Sequence, residues 1–268
     1  MIYFYAIIFG IVQGLTEFFP VSSSGHLLIA HKLFPVFTDD IAVTFDVALH
    51  LSTLFVILFF YGKDFLKYCR SFYRAPDIAD RRIGWMILFA TLPAAFVGYF
   101  LEDIIVGTTR ELFLVATMLI LGGLFFIIVE RWGKRAVPFE HLTKTQAFLI
   151  GCAQAVALIP GVSRSGSTII AGMALRLKRD AATHFSFLLA VPIIALAGAK
   201  RLVDLFMGAP LTLEQILVFL IGFATAAGVG ALCIQYLIEH VKTKTFLPFA
   251  VYRIALGVLL FGFIFFQK

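Results

Sequence analysis

The chain has 268 residues, of which 61% are hydrophobic and only 14% charged, with a formal net charge of +6. Soluble globular domains carry about 25% charged and roughly 45–50% apolar residues, so this composition excludes a soluble enzyme, a disordered chain and a nucleic-acid binder. An integral membrane protein remains, and in such a protein membrane topology itself distributes Lys and Arg.

A crossing helix needs about 20 apolar residues, with a range near 17–25. In chain order, the first apolar stretch, Tyr3–Leu33, is broken at Pro20-Val-Ser-Ser-Ser-Gly25. It has no basic leader region, and Glu17 and Pro20 interrupt it, so it does not read as a cleaved signal peptide. Unbroken spans follow at Phe45–Tyr61, Ile83–Leu101 and Leu112–Val129. A second broken stretch, Gln146–Leu175, is interrupted at Pro160-Gly-Val-Ser-Arg-Ser-Gly166, and three spans follow it at Phe185–Ala199, Leu217–Ile238 and Leu247–Phe266. Neither arm of a broken stretch can cross alone. Polar, Gly-rich backbone at membrane depth is tolerated only inside protein or beside a wet cavity. The expected fold is therefore all-α and membrane-integral: six transmembrane helices plus two re-entrant helix–loop–helix hairpins.

The basic residues give sidedness. Lys63, Lys67, Arg70, Arg74, Arg81 and Arg82 are expected in the first inter-span loop; Arg131, Lys134, Arg135 and Lys144 precede the second hairpin; Arg176, Lys178 and Arg179 follow it; Lys242 and Lys244 lie between the last spans. The opposite side keeps Lys32, Arg110, Lys200, Arg201 and Lys268. The richer side is cytoplasmic by the positive-inside rule, so both termini are expected outside. That accounts for the net charge without an acidic partner. Cys69, Cys152 and Cys233 lie far apart without a CxxC, which argues against a disulfide framework or a zinc site.

Shifting the chain by 141 positions aligns Gly10–Ala30 with Gly151–Ala171, with identities at Gly10/Gly151, Gln13/Gln154, Val21/Val162, Ser22/Ser163, Ser24/Ser165, Gly25/Gly166, Ile29/Ile170 and Ala30/Ala171. Each half then reads as one hairpin and three spans. Three crossings turn the second half over, giving an inverted-topology repeat within one membrane domain, residues 1–135 and 136–268. In such repeats paired broken helices build a shared site near the midplane.

The residues at the breaks suit an anion. Gln13 and Glu17 are four apart, hence on one helix face, and Pro20 ends that helix. Ser22, Ser23, Ser24 and Gly25 then open the next helix, as Ser163, Arg164, Ser165, Gly166 and Thr168 do in the second break. Helix N-termini attract phosphate, and a guanidinium contacts it bidentately. Glu17 and Arg164 each cost about 2.5–3.5 kcal/mol at the bilayer centre, so they mark either a site or a pair that pins the hairpins together. His26, beside Ser23 and a carboxylate, suits acid–base work; the alternative is a buried ring satisfied by a carbonyl. Asp46 and His50, four apart near the outer end of their span, either line the same cavity or are ordinary span-end residues. Gln154, the repeat mate of Gln13, is a further cavity-lining candidate. Arg253 is expected to snorkel to the cytoplasmic surface or to pair locally, and the 31 Phe residues to serve as lipid-facing and packing bulk.

The runs Gln13-Gly-Leu-Thr-Glu17-Phe-Phe-Pro-Val-Ser-Ser-Ser-Gly-His26 and Pro160-Gly-Val-Ser-Arg-Ser-Gly-Ser-Thr168 resemble the two signature motifs of the undecaprenyl-diphosphate phosphatase family linked to bacitracin resistance. Length, motif order and span count extend the resemblance over essentially the whole chain. It implies hydrolysis of undecaprenyl diphosphate to the monophosphate, the lipid carrier of bacterial wall synthesis, in the plasma (inner) membrane with the active site facing outward. It also implies a divalent cation, Mg2+ or Ca2+, a polyprenyl diphosphate and membrane lipid as partners, and no nucleic acid; a homodimer stays open. By motif position Glu17, Ser23, His26 and Arg164 form the catalytic group, with Gln13, Ser163 and Thr168 supporting it and Glu17 and Gln13 on the metal. Many members have Glu where this chain has Gln13, so one anionic metal ligand is missing here. The nucleophile stays open among Ser23 with His26 as base, His26 itself, and water.

Lipid phosphatases with Pro-Ser-Gly-His and Ser-Arg-x5-His motifs are a nearer rival, but Ile170 stands six residues after Arg164 where they need His. Paired broken helices also occur in transporters. Transport needs an anion site but no nucleophile beside a base. A purely structural scaffold would need neither.

Overall fold

The computed structural model describes residues 1–73, 78–109, 111–207 and 210–266. Among these there are ten α-helices, one 3-10 turn at Phe139–His141, and no strand. The first break separates α1 (Ile2–Phe18) from α2 (Ser23–Leu33); α3 (Asp39–Arg70), α4 (Ile78–Thr109) and α5 (Leu112–Trp132) follow. The second separates α6 (Lys144–Val156) from α7 (Arg164–Ala174), ahead of α8 (Arg179–Met207), α9 (Leu213–Thr243) and α10 (Leu247–Phe266). Six segments are long and apolar enough to cross a membrane: Ile41–Arg70, Ile78–Leu101, Leu112–Trp132, Arg179–Leu205, Leu213–Thr243 and Leu247–Phe266.

These segments match the six expected spans, and all but the last, Leu247–Phe266, overrun them, because a helix keeps its backbone bonds past the last apolar residue. Lys63, Lys67 and Arg70 accordingly extend α3, and Arg81 and Arg82 begin α4, rather than lying in a loop. Pro192 does not end its span either, and α8 runs through it. Arg74, Arg110 and Lys268 lie outside the described residues.

The four basic segments meet at one end of the molecule. Lys67 pairs with Asp80 at 2.8 Å, and Arg82 donates to the Glu140 carbonyl. Ala136 and Val137 bond the Arg176 carbonyl at 3.0 and 2.9 Å. Glu130, its side chain 3% exposed, gathers Arg135, Arg179 and the Phe246 amide, the last two at 2.8 Å. Ile2, Val36, Thr38, Thr212 and Glu214 share a cavity of their own, away from this basic cluster.

Between the ends, α1 lies along α9 and α6 along α4, while α5 packs on α10 and α3 on α8. Small residues set the close approaches, as membrane interiors favour. A Cβ on Gly10 would stand 2.7 Å from the Gly222 carbonyl, and one on Gly151 would stand 2.2 Å from that of Ala90. The exchange of partners, α1 with α9 and α6 with α4, is compatible with two repeats of opposite topology. The main apolar cluster draws from both halves, joining Phe18, Phe126, Ile169, Phe187, Ile234 and Phe246 among others.

Candidate active site

Both breaks are built the same way. Ser22 caps α2 with φ 78°, and its hydroxyl accepts from the Gly25 amide at 3.3 Å. Ser163 caps α7 with φ 76° and accepts from the Gly166 amide at 3.0 Å. A positive φ at a non-Gly residue is uncommon, and here it turns each chain sharply from one arm into the next. The first-turn amides of each helix have no carbonyl of their own helix to bond, so Ser23 and Ser24 open α2, and Arg164 and Ser165 open α7, as donor-rich ends. With 1.5 Å rise per residue, Glu17 lies about 22 Å along α1 from its start, near its C-terminal end.

The two breaks meet on Glu17, which is 5% exposed. Its Oε1 accepts from Arg164 Nη2 at 2.6 Å, across 147 residues of sequence. Its Oε2 accepts from Ser23 Oγ at 2.6 Å and from Gln13 Nε2 at 3.2 Å, with His50 Nε2 at 3.5 Å. Arg164 also donates to the Ser186 carbonyl at 3.3 Å, which holds the guanidinium against α8. Ion pair, hydroxyl and imidazole thus crowd one carboxylate between the ends of two helices. Ser23, Ser24 and His26 are partly accessible, so the cluster opens outward from its buried acid.

His26 is placed differently from the expected base of Ser23. Its Nδ1 lies 2.7 Å from the Ser22 carbonyl and its Nε2 2.7 Å from the Tyr252 hydroxyl. A carbonyl only accepts, so Nδ1 carries hydrogen and the neutral ring accepts from Tyr252 at Nε2. The Ser23 hydroxyl instead donates to Glu17 Oε2 at 2.6 Å.

Several residues expected on phosphate have other partners. The Ser22 and Ser163 hydroxyls are held by the caps. Ser165 Oγ donates to the Glu17 carbonyl at 3.3 Å, stitching α7 to the end of α1. Thr168, fully buried, bonds Ser186 Oγ at 2.7 Å and the Arg164 carbonyl at 2.9 Å. Gly25 and Gly166 contribute close approach: a Cβ on Gly25 would stand 3.2 Å from Val115, and one on Gly166 would stand 2.8 Å from Arg253 Nη1. Asp46 binds His31 Nε2 at 2.9 Å rather than the central cluster. His50, on the same helix, does reach Glu17. Gln154 stands apart: it is buried on the α6 face that carries Gly151, and its amide nitrogen and oxygen have no partner.

Arg253 corrects the expectation of a snorkelling cation. It is fully buried and donates to the carbonyls of Pro20 (3.0 Å), Leu119 (3.3 Å), Met118 (3.1 Å), Gly161 (3.1 Å) and Val162 (3.0 Å). The guanidinium therefore pins both breaks to α5, directly behind the site. The signal was a lone Arg in a span with no other charge, which is functional or structural by default; Tyr252, beside it, gave no signal.

Fold and site together define a multi-pass helical membrane protein with a charged, hydroxyl-bearing centre held between two broken helices. The chain belongs to the family whose model is described as "Bacitracin resistance protein BacA", which matches residues 6–259. It is 42% identical over 263 residues to a protein of Rubrobacter xylanophilus named undecaprenyl-diphosphatase, covering 95% of both chains. A Corynebacterium jeikeium protein named undecaprenyl-diphosphatase 1 is 41% identical over 94% of this chain and 91% of its own. An undecaprenyl-diphosphatase of Desulforudis audaxviator is 41% identical over 95% of both.

Proposed function

We propose that the protein is a polyprenyl-diphosphate phosphatase of the bacterial inner membrane, which hydrolyses undecaprenyl diphosphate to undecaprenyl phosphate and inorganic phosphate. The product is the lipid carrier that wall synthesis reuses. One observation carries the reading: Glu17 binds the Arg164 guanidinium with one oxygen and the Ser23 hydroxyl with the other.

Ser23 Oγ attacks the terminal phosphorus, its proton passes to Glu17 Oε2, and the bond to the bridging oxygen breaks, releasing undecaprenyl phosphate. Water then attacks the phosphoserine, the bond from phosphorus to Ser23 Oγ breaks, and Glu17 returns its proton to that oxygen, giving inorganic phosphate and restoring both the hydroxyl and the carboxylate. Arg164 and the amides opening α2 and α7 neutralise charge on the transferred group, where most catalysis of such transfers lies. His26, oriented by Ser22 and Tyr252, borders the entrance rather than serving as the base of Ser23. A divalent cation, Mg2+ or Ca2+, would be held beside Glu17 by Gln13, whose side-chain oxygen is buried without a partner, and hard cations prefer such oxygens; when bound it would supply charge neutralisation on the diphosphate.

The remaining parts of the reading follow the sequence. The inverted repeat, residues 1–135 and 136–268, brings two re-entrant hairpins to one site, and the basic end faces the cytoplasm. Both termini and the site opening then lie outside, and a homodimer is compatible with this arrangement.

Purified protein in detergent with a prenyl diphosphate and Mg2+ tests the reading. Phosphate release should fall at least about a hundredfold in Glu17→Gln and in Arg164→Ala, and trapped phosphate should map to Ser23. Phosphate on neither Ser23 nor His26 would assign the attack to water. Absence of release, with lipid or anion movement in vesicles, would make the protein a transporter.

A further inference from the structure

Past the apolar segment Leu112–Trp132, the chain runs beside the stretch that leaves α7. The Ala136 and Val137 amides donate to the Arg176 carbonyl, the Lys178 amide donates to the Val137 carbonyl at 2.9 Å, and Val137 and Leu177 form an isolated parallel bridge. Arg176 is held at φ 75°, a conformation that residues other than glycine seldom adopt. Gln146 Nε2 fixes the neighbouring Leu175 carbonyl at 2.8 Å. The two stretches therefore form a fixed ledge rather than free loops.

The cations of this ledge divide into two sets. Arg135 and Arg179 turn inward onto the buried Glu130. Arg131, Lys134, Arg176 and Lys178 are exposed, and none of them meets a carboxylate among the described residues. Acids at the same end are engaged elsewhere: Asp80 by Lys67, Glu239 by Lys242 at 2.6 Å, and Asp180 by the Ala181 amide at 2.9 Å. Glu140 belongs to the 3-10 turn, where Arg82 holds its carbonyl. Membrane sidedness asks for basic residues at one end, but not for four of them on a rigid ledge without counter-charge.

Trp132 indicates what supplies that charge. Its ring is 68% exposed where the apolar segment stops, with the Arg131 guanidinium 5.8 Å from the ring centroid. Exposed Trp at the end of a span sits at the level of the lipid head groups. Guanidinium groups grip phosphate bidentately and ammonium groups act on it as point charges, and basic pockets between membrane helices recognise acidic head groups in this way. We infer that the ledge formed by Arg131, Lys134, Arg176 and Lys178 binds the phosphate of an anionic phospholipid, whose chains lie against Trp132. The site is away from Glu17 and stands independently of the catalytic reading.

Purified full-length protein in a neutral detergent, titrated with phosphatidylglycerol or with phosphatidylcholine and followed by native mass spectrometry, tests it. Phosphatidylglycerol should bind at least about tenfold more tightly, and the preference should shrink as salt is raised. Arg131→Gln, Lys134→Gln and Lys178→Gln should each weaken its binding about fivefold. Lys32→Gln, which removes an exposed cation outside the ledge, should leave it unchanged. A second readout keeps every cation in place: Trp85→Phe makes Trp132 the sole tryptophan, and phosphatidylglycerol with brominated chains should quench its fluorescence at a lower mole fraction than brominated phosphatidylcholine. Equal binding of the two lipids, or a loss in Lys32→Gln as large as in the ledge variants, overturns the inference. So does polyglutamate that binds the ledge and is not displaced by phosphatidylglycerol, a result that would assign the surface to an acidic protein.

Discussion

Ser22 and Ser163 share a positive φ, 78° and 76°, and each hydroxyl accepts from the glycine amide three residues on. Two stretches 141 residues apart thus fold into the same turn, and in both the serine does two separate jobs. The backbone job favours glycine, and the capping job requires an oxygen. Losing a Ser cap to Ala costs about 1 kcal/mol, whereas replacement by Gly costs only a few tenths. Ser163→Ala should therefore lower the melting temperature more than Ser163→Gly, measured by thermal scanning fluorimetry in detergent. The reverse order would mean that the positive φ at residue 163 does not limit stability.

Arg253 makes a second prediction. A Cβ on Gly122 would lie 1.9 Å from Arg253 Nη2, so Gly122→Ala must push the guanidinium off its carbonyls. Overpacking of this kind costs about 1–3 kcal/mol, and stability and phosphate release should fall together because both breaks lose their anchor. Gly62→Ala meets nothing within 4 Å and should keep full activity.

The partners of Ser23 and His26 separate their roles. Ser23→Ala removes the hydroxyl on Glu17 and should reduce phosphate release by about a thousandfold or more, a loss on the scale of a missing nucleophile. Tyr252→Phe removes only the Nε2 partner of His26 and should cost less than about tenfold, the size of one ordinary neutral hydrogen bond. Comparable losses in the two variants would restore His26 to the centre of the chemistry.

Glu130 serves the basic end. With its side chain buried against Arg135, Arg179 and the Phe246 amide, Glu130→Gln leaves two cations without their counter-charge. Breaking a buried pair costs about 3–5 kcal/mol. The melting temperature should drop steeply, while the folded fraction keeps its kcat, since the cluster lies away from Glu17. A fall in kcat at temperatures where the variant is fully folded would show that the two ends are coupled.

What the sequence reveals follows from what local chemistry can signal. Pro20, the serine runs and the glycines mark both breaks, because polar backbone within an apolar stretch survives only where protein or water satisfies it. Glu17 and Arg164 declare themselves by the cost of burying charge. The partners of each group are less visible. Ser23 faces Glu17 rather than His26 because of the angle at which α2 leaves its cap, which spacing alone does not give. His50 reaches Glu17 only through the packing of α3 beside the first break, 33 residues further along the chain. Arg253 reads as a surface anchor by its place early in its span, yet Pro20, Gly161 and α5 surround it with carbonyls and keep it inside.

That buried guanidinium also bears on how a lipid could pass through. Tilting the two hairpins away from each other would pull Pro20 from Gly161 and Val162 and leave a cation facing hydrocarbon, with several acceptors stranded at once. Ferrying a head group between leaflets by such a rocking motion is therefore costly for this polypeptide. Its centre is better suited to staying still while a lipid diphosphate loses a phosphate there.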